Sequence, residues 1–418
     1  MSRYRALASL ATATLVSVGG TRLSAIAIPW LVLTMAESPV LTGLVGMAEL
    51  LPYVIAKALA GPLIDKFGAR RMAILGVVTS ALALLVVPLM YWAGLFSIWW
   101  LIPMVAVLGV MRAPADASKQ ALVPTLVTRD NLPVERVTGI MGAADRLAGT
   151  VGAAGAGLLI AAIGPIAALV CNAVAFAFSA IIVALGIPRD ARAEPKNTVG
   201  SYREDLIAGW TMLRSDPVLR AMVIMIAITN LFDQAYAVLL LPVWVRTHGL
   251  DVSWVGYILA AFSVSSILGA VSAAAIGHRL WRLPIYVFGF LCAGPIAMYP
   301  FALGLPVEVI IGILLVAGFG AGFLNPIVGA IMFESIPKVL VGRVISLIGA
   351  ATMVLMPFGG LFAGVVVDNA GIAAGLWLCG TLYLVAALAP LAIPSFRRMN
   401  RKRDAAPEAD PAVEGSSA

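Results

Sequence analysis

The sequence is poor in charge, cysteine and histidine. Only 12% of its 418 residues are Asp, Glu, Lys or Arg, while 61% are hydrophobic, and the mean hydropathy is +1.00. An average soluble protein carries roughly 25% charged residues, so this composition predicts an integral membrane protein. Cys171, Cys292 and Cys379 lie far apart in apolar segments, and His248 and His278 are isolated. We therefore expect neither a disulfide framework nor a metal site.

Several catalytic and nucleotide-binding patterns are also missing. The sequence contains no GxxxxGK[ST] phosphate loop, no G-x-S-x-G turn and no H-E-x-x-H pair, so ATP-driven pumping and membrane hydrolysis lack their residues. We expect no cofactor. The net charge of +7 does not point to nucleic acid, because the basic residues fall almost entirely between apolar segments.

Apolar segments of membrane-spanning length follow one another along the chain. A spanning helix needs roughly 20 apolar residues, and cutting the chain at charged and turn residues gives about twelve such segments. The first continues to Met35, too long for a cleaved signal peptide. The predicted segments are 10–35, 42–64, 72–94, 98–120, 138–162, 165–187, 220–244, 253–277, 283–303, 307–331, 344–367 and 372–394.

Basic residues mark one side of the predicted membrane. Most of the 28 Lys and Arg residues fall at the N-terminus, in alternate loops and in the C-terminal tail, and Arg246 is the one base in a loop on the other side. Because cytoplasmic loops carry the excess of Lys and Arg, we predict a multi-pass protein of the plasma membrane with both termini in the cytoplasm.

The chain reads as a duplication of six helices. A polar linker at 188–219 separates an N-terminal half, 1–187, from a C-terminal half, 220–396, and residues 397–418 form a charged tail predicted to be disordered. An even number of helices per half makes the repeat parallel, as in transporters that work by alternating access. Residues that recur at one constant offset are Arg136-Val137, Gly142-Ala143-Ala144, Gly152 and Gly164, which return as Arg343-Val344, Gly349-Ala350-Ala351, Gly359 and Gly371.

The loop between the second and third segments carries the most distinctive motif. It contains Gly61, Asp65, Gly68, Arg70 and Arg71, and it resembles the signature of the major facilitator superfamily, although Ala69 stands where a base is usual. Other stretches resemble the macrolide-efflux and siderophore-exporter branch of its drug:proton antiporters. These are Ala27-Ile-Pro29-Trp30-Leu-Val-Leu, Leu122-Val-Pro124, Asp205-Leu-Ile-Ala-Gly209-Trp210 and Val341-Gly342-Arg343-Val344. The resemblance implies an all-α membrane protein of two six-helix parallel repeats.

The motif also implies a role in gating. Gly61 and Gly68 would allow close helix approach and a tight turn, and Asp65 could pair with Arg70 or Arg71 or face the N-terminus of a neighbouring helix. In the superfamily such a cluster acts as a cytoplasmic latch for the outward-open state. The alternative is simple anchoring by basic residues, which would not explain Asp65 or the glycines.

Charged residues within predicted helices are further candidates, because each costs about 2.5–3.5 kcal/mol to insert. Arg112 and Asp116 lie on one helical face, and Arg112–Asp145 or Asp116–Arg146 pairs would join the fourth and fifth helices. Structural neutralisation is the alternative for Asp116 and Lys119.

Arg22 and Asp233 lie near the middles of the first and seventh helices, which line the central cavity in the superfamily. We hypothesise that they face that cavity as substrate contacts or as a proton-responsive pair. Burial would favour the protonated carboxyl, and a nearby arginine the ionised one. Glu49, Lys57 and Asp65 share one broad helix face, which suggests a path for protons or substrate, or else independent ion pairs.

Glycines in the fifth and eleventh helices predict close helix packing. Those singled out are Gly152 and Gly155 in the fifth helix and Gly359 and Gly360 in the eleventh. Drug:proton antiporters resembling this chain carry a Gly-Pro-x-x-Gly-Gly motif in helix five, and its proline is absent here.

Together these features predict a secondary active transporter, with proton-coupled efflux of a drug-like or amphipathic small molecule as the leading function. The proton gradient is the expected energy source. The expected partners are the small-molecule substrate and the lipid bilayer, without nucleic acid, and the protein is expected to be a monomer. The alternatives are uptake or exchange of a polar metabolite, or a polytopic membrane enzyme or receptor without transport activity.

Overall fold

The fold is helical throughout the residues that the computed structural model describes, which are 4–188, 202–276, 280–336 and 341–397. The first half contains α1 (Arg5–Ala36), α2 (Pro39–Ala58), α3 (Ala60–Phe67), α4 (Ala69–Trp92), α5 (Ile98–Asp130) and α6 (Val134–Gly186). A further helix, α7 (Tyr202–Ser215), lies within the predicted linker, of which residues 189–201 are outside the described part.

The second half begins with α8 (Pro217–Ala235), a π-helical turn (Tyr236–Leu240) and α9 (Leu241–Thr247), which together form one crossing. It continues with α10 (Ser253–Ile276), α11 (Arg282–Ala293), α12 (Pro295–Ala302), α13 (Val307–Ala321), α14 (Leu324–Ser335), α15 (Val341–Met353) and α16 (Met356–Ala392). A short 3₁₀ turn (Pro394–Arg397) ends the described chain, and the predicted tail after it lies outside the described residues.

Ten helical stretches in the described part of the chain are long and apolar enough to cross a membrane. Two of them, Arg136–Gly186 and Leu347–Ala392, have 51 and 46 residues. At 1.5 Å per residue each is about twice as long as one crossing requires. Each folds back on itself, so the ten stretches make twelve crossings and the predicted number is confirmed.

The reversal in α6 can be read from its neighbours. Gly152 lies against Gly19 of α1, and Asn172 lies against Gly20. Two residues twenty positions apart in one stretch can stand at the same level of α1 only if the chain reverses between them. The turn is at Gly164, whose φ of 81° and ψ of 162° are readily adopted by glycine and costly for other residues.

The second half repeats this hairpin. The Phe232 ring is 6.1 Å from the Phe362 ring and 6.4 Å from the Tyr383 ring, so α16 also reverses between these two residues. The turn is at Gly371, with φ 82° and ψ 169°. Gly164 and Gly371 are counterparts in the proposed duplication, and their matching backbone conformations agree with the predicted repeat.

The two halves touch near one end of the bundle. We call the end where α1 begins the basic end and the end where α1 finishes the distal end. Gly43 of α2 packs on Gly360 of α16, and Gly157 of α6 packs on Gly256 of α10, with backbone atoms in contact in both cases. Gly43 and Gly256 each follow the distal start of their helix by a few residues, so these seams close the distal side.

Candidate functional site

The loop at the basic end divides its charges between two roles. Gly68 has φ 85°, a value that favours glycine, and this allows the sharp turn from α3 to α4. Arg70 donates from Nε to the Ile187 carbonyl at 2.7 Å and from Nη2 to the Ala184 carbonyl at 2.6 Å. It thus satisfies carbonyls at the end of α6, which lack amide partners within the helix, and ties the loop to its own half.

Asp65 remains available for another partner. Its side chain is exposed, and no ion pair or hydrogen bond of Asp65 is seen among the described residues; Arg71 is likewise exposed. A Cβ at Gly61 would meet no neighbouring atom within 4 Å, so close helix approach at Gly61 is absent in this conformation. The predicted pairing of Asp65 with Arg70 or Arg71 is therefore not made here.

A chain of charges crosses the interior of the first half. Arg112 Nη1 lies 2.7 Å from Glu49 Oε1, and Arg112 Nε lies 3.9 Å from Asp116 Oδ2. Lys119 Nζ is 3.6 Å from the other oxygen of Asp116 and donates a hydrogen bond to Ser17 Oγ at 2.6 Å. Arg112 and Lys119 are buried, so two acids and two bases balance one another between α1, α2 and α5.

Tyr53 of α2 contacts two members of this charged network, Arg112 and Asp116. The Arg112 guanidinium lies 4.7 Å from the centre of the Tyr53 ring, a cation–π arrangement. The Tyr53 hydroxyl donates to Asp116 Oδ2 at 3.2 Å. Composition alone did not single out Tyr53, because an aromatic residue on an apolar helix usually only packs.

Two of the predicted pairs are wrong. Arg112 binds Glu49 and Asp116 instead of Asp145, and Asp116 binds Arg112 and Lys119 instead of Arg146. The reason is register, because α2 brings Glu49 alongside Arg112. Asp145 and Arg146 both have exposed side chains.

Arg22 lies in the middle of α1 and is exposed. Its guanidinium lies beside Gly149 of α6, and Gly152 packs on its stem. Asp145, one turn before Gly149, is the acid that acts most strongly on Arg22. Arg22 of α1 and Asp145 of α6 therefore lie close together within the first half.

Asp233 faces a different environment near the end of α8. Its polar neighbour is the Tyr383 hydroxyl, although the two groups do not meet with ordinary hydrogen-bond geometry. The ring of Phe232, the preceding residue, meets the Phe362 ring edge to face with 6.1 Å between ring centres. The proposed Arg22–Asp233 ion pair is not seen among the described residues.

The predicted packing glycines divide into three in contact and one in open space. A Cβ at Gly152 would come within 3.0 Å of Gly19, and one at Gly359 within 2.1 Å of the Leu231 carbonyl. Gly360 lies in ordinary contact with Gly43. A Cβ at Gly155 would meet nothing within 4 Å, so Gly155 makes no close helix contact in this structure.

Arg246, which sequence reasoning treated only as a topology signal, joins the two halves at the distal end. Its Nη2 lies 2.8 Å from Glu37 Oε1, and its Nη1 donates to the Leu33 carbonyl. The signal that could have found it was its isolation, because a single base on the side of the membrane that otherwise lacks bases in its predicted loops suggests a specific partner. Among the described residues no group of His, Cys, Asp and Glu is arranged to hold a metal ion.

Comparison with known proteins supports a transporter. The family model of the Major Facilitator Superfamily matches residues 10–338 and 255–415. The chain therefore belongs to the Major Facilitator Superfamily, and it is a multi-pass membrane protein of the transporter class.

Two relatives match along nearly their whole length. The multidrug efflux pump Tap of Mycobacterium tuberculosis (strain ATCC 25618 / H37Rv) is 28% identical over 408 residues, covering 95% of this chain and 94% of the relative. The Tap pump of Mycolicibacterium fortuitum is 26% identical, with 93% and 95% covered.

Solved structures share the fold. A variant of the nucleoside transporter NupG matches with a TM-score of 0.77 at 12% identity, covering 94% of this chain and 99% of that one. A bacterial homologue of ferroportin in an inward-facing state matches with a TM-score of 0.63 at 18% identity, covering 93% and 100%.

Proposed function

We propose that the protein exports a drug-like or amphipathic small molecule by alternating access, driven by proton entry. The basic end faces the cytoplasm, as the distribution of Lys and Arg favours, and the protein acts as a monomer in the plasma membrane. Relatives named as multidrug efflux pumps align over 408 and 395 residues, which supports export over the alternatives of uptake or exchange of a polar metabolite.

We infer that the central cavity required by alternating access takes a substrate with both polar and apolar surface. Arg22 and Asp145 offer charge on the side of the first half. On the side of the second half, Asp233 offers a carboxyl beside Tyr383, and the neighbouring Phe232 ring meets Phe362. Sites that bind amphipathic molecules combine apolar and aromatic walls with a few polar groups, and this arrangement fits that description.

Charge balance is the observation that carries proton coupling. In the first half each buried base has an acid beside it, so the chain from Glu49 to Lys119 is neutral without taking up a proton. Asp233 has no basic residue in contact with it among the described residues. An ionised carboxyl at that depth is costly unless it is paired, so closing the cavity around Asp233 favours its protonated form.

The proposed cycle follows from this difference between the paired charges of the first half and Asp233 of the second. When the distal end is open, Asp233 takes a proton and releases substrate. The neutral carboxyl then allows the cavity to close and reopen at the basic end. There, Asp233 releases the proton to the cytoplasm and a new substrate molecule enters.

The test is transport by Asp233→Asn in vesicles with an imposed pH gradient. We expect the variant to lose proton-driven accumulation of a fluorescent amphipathic dye while still exchanging dye down its own gradient. Asp368→Asn is the matched control, because Asp368 is an exposed acid near the distal turn of α16. Undiminished proton-driven transport by Asp233→Asn would refute the coupling role.

Direction is tested in intact cells that overexpress the protein. Export predicts lower dye accumulation than in control cells, and an uncoupler should abolish the difference. Higher accumulation would instead favour the uptake alternative.

A further inference from the structure

Arg246 belongs to the second half of the protein but caps the first helix of the first half. Carbonyl groups in the last turn of a helix have no amide partner within the helix. Leu33 lies in the last turn of α1, and its carbonyl accepts a hydrogen bond from Arg246 Nη1. A guanidinium at this position also meets the negative end of the helix dipole. The end of α1 is thus satisfied from across the interface.

Glu37 adds an ion pair to the same guanidinium. Its Oε1 lies 2.8 Å from Arg246 Nη2, and its backbone has φ 52° and ψ 21°. That left-handed conformation is uncommon for residues other than glycine, asparagine and aspartate. The strained backbone turns the chain immediately after α1 and coincides with the residue that meets Arg246.

The residues on either side of Arg246 in sequence are anchored in the second half. Trp244, two residues earlier in α9, donates from Nε1 to the Phe301 carbonyl at 3.1 Å. The His248 ring stacks on Trp244 with 4.0 Å between ring centres. Movement of the second half therefore carries Arg246 with it, and the contacts with Leu33 and Glu37 break when the distal ends separate.

We propose that Arg246, Glu37 and the Leu33 carbonyl form a distal latch that stabilises the conformation closed at the distal end and open at the basic end. It acts in the opposite sense to the loop around Asp65, whose acid has no partner among the described residues in this conformation. The proposal rests on alternating access as part of the proposed function, but on neither proton coupling nor substrate identity.

Because Arg246 binds two acceptors, different substitutions should weaken the latch to different extents. Removing the guanidinium loses both contacts, whereas neutralising Glu37 leaves the bond to the Leu33 carbonyl. Each contact is a partly exposed charge interaction, so the expected change in the ratio of distal-closed to distal-open molecules is about three- to tenfold for Arg246→Gln and about twofold for Glu37→Gln. Arg246→Lys keeps the charge but cannot bind both acceptors with one planar group. Its effect on the ratio should therefore lie between those of Glu37→Gln and Arg246→Gln.

The experiment measures distances between spin labels on purified full-length protein in lipid nanodiscs. Labels are placed by Trp92→Cys and Leu303→Cys, two exposed positions at the distal ends of α4 and α12, after replacing the three native cysteines. Arg246→Gln should move population from the short to the long distance, with Glu37→Gln shifting less. Because no transport is measured, this outcome is independent of whether Asp233 couples protons.

The matched control removes an ion pair that does not join the halves. Arg282 and Glu334 form a two-bond pair at 2.5 and 2.7 Å within the second half, near the basic end. Arg282→Gln should leave the distal distances unchanged. Unaltered distances in folded Arg246→Gln, or an equal shift in Arg282→Gln, would overturn the proposal. If Arg246→Gln does not fold, Glu37→Gln and Arg246→Lys decide, and no shift in either overturns it.

Discussion

The distal seam gives a quantitative prediction at Gly43. A Cβ at this position would lie 2.2 Å from the Gly360 carbonyl oxygen, 2.5 Å from its carbon and 2.8 Å from the Leu361 Cα. All three atoms belong to the backbone, and real Cβ contacts are essentially never under 3.0 Å. Gly43→Ala therefore forces α2 and α16 apart by about 0.8 Å, because no side chain can rotate out of the way.

The cost falls on one conformation. Overpacking of a close contact costs about 1–3 kcal/mol, which corresponds to roughly a 5- to 150-fold loss of the distal-closed form. The distal-open form does not bear this cost, since its halves are apart there. Alanine is also a better helix former than glycine by about 1 kcal/mol, so the helix itself is not weakened.

The assay combines distal spin-label distances with dye transport. Gly43→Ala should lengthen the mean distance and slow transport, while Gly46→Ala should behave almost as the unaltered protein. Gly46 is on the same helix, but its Cβ would meet only the Val238 Cγ1 atom at 3.0 Å, and that side chain can shift. Unchanged distances and transport in Gly43→Ala would refute the conclusion that backbone contact closes this seam.

Two further substitutions test the loop and the buried charges. Gly68→Ala should destabilise the protein by about 1–2 kcal/mol, because alanine is strained at φ 85°. Gly61→Ala, the control, should be neutral or stabilising. Thermal unfolding in detergent measures both variants, and equal melting temperatures would contradict the role given to Gly68. Glu49→Gln should destabilise the protein by about 3 kcal/mol, because it leaves the buried Arg112 charge undercompensated. The double variant Glu49→Gln with Arg112→Met should recover most of that loss. A double variant no more stable than Glu49→Gln would count against the ion pair.

The fold could be predicted closely because membrane helices are recognisable in a sequence from their length and hydropathy. Gly164 and Gly371 were seen in the sequence as counterparts lying between predicted segments, and the structure turns the chain at both. The basic loop could be located through Gly68 and its flanking charges.

Partners of charged residues could not be predicted with equal success. Arg112 was expected to meet Asp145 because the fourth and fifth helices are adjacent in sequence, but it meets Glu49 of α2. Which residues face each other depends on the rotation and relative height of packed helices, and one sequence fixes neither. Gly155 illustrates the same limit, because a small residue permits close packing without requiring it.

The single-residue reversal at Gly164 has a consequence for how the protein enters the membrane. The two arms of α6 are joined by one residue, without a loop that would let the first arm insert into the membrane separately. The first arm carries Asp145 and Arg146, which would be costly to expose to lipid alone. The second arm is more uniformly apolar. We therefore expect the two arms to insert into the membrane together as one helical hairpin, and the turn at Gly371 leads to the same expectation for the second half.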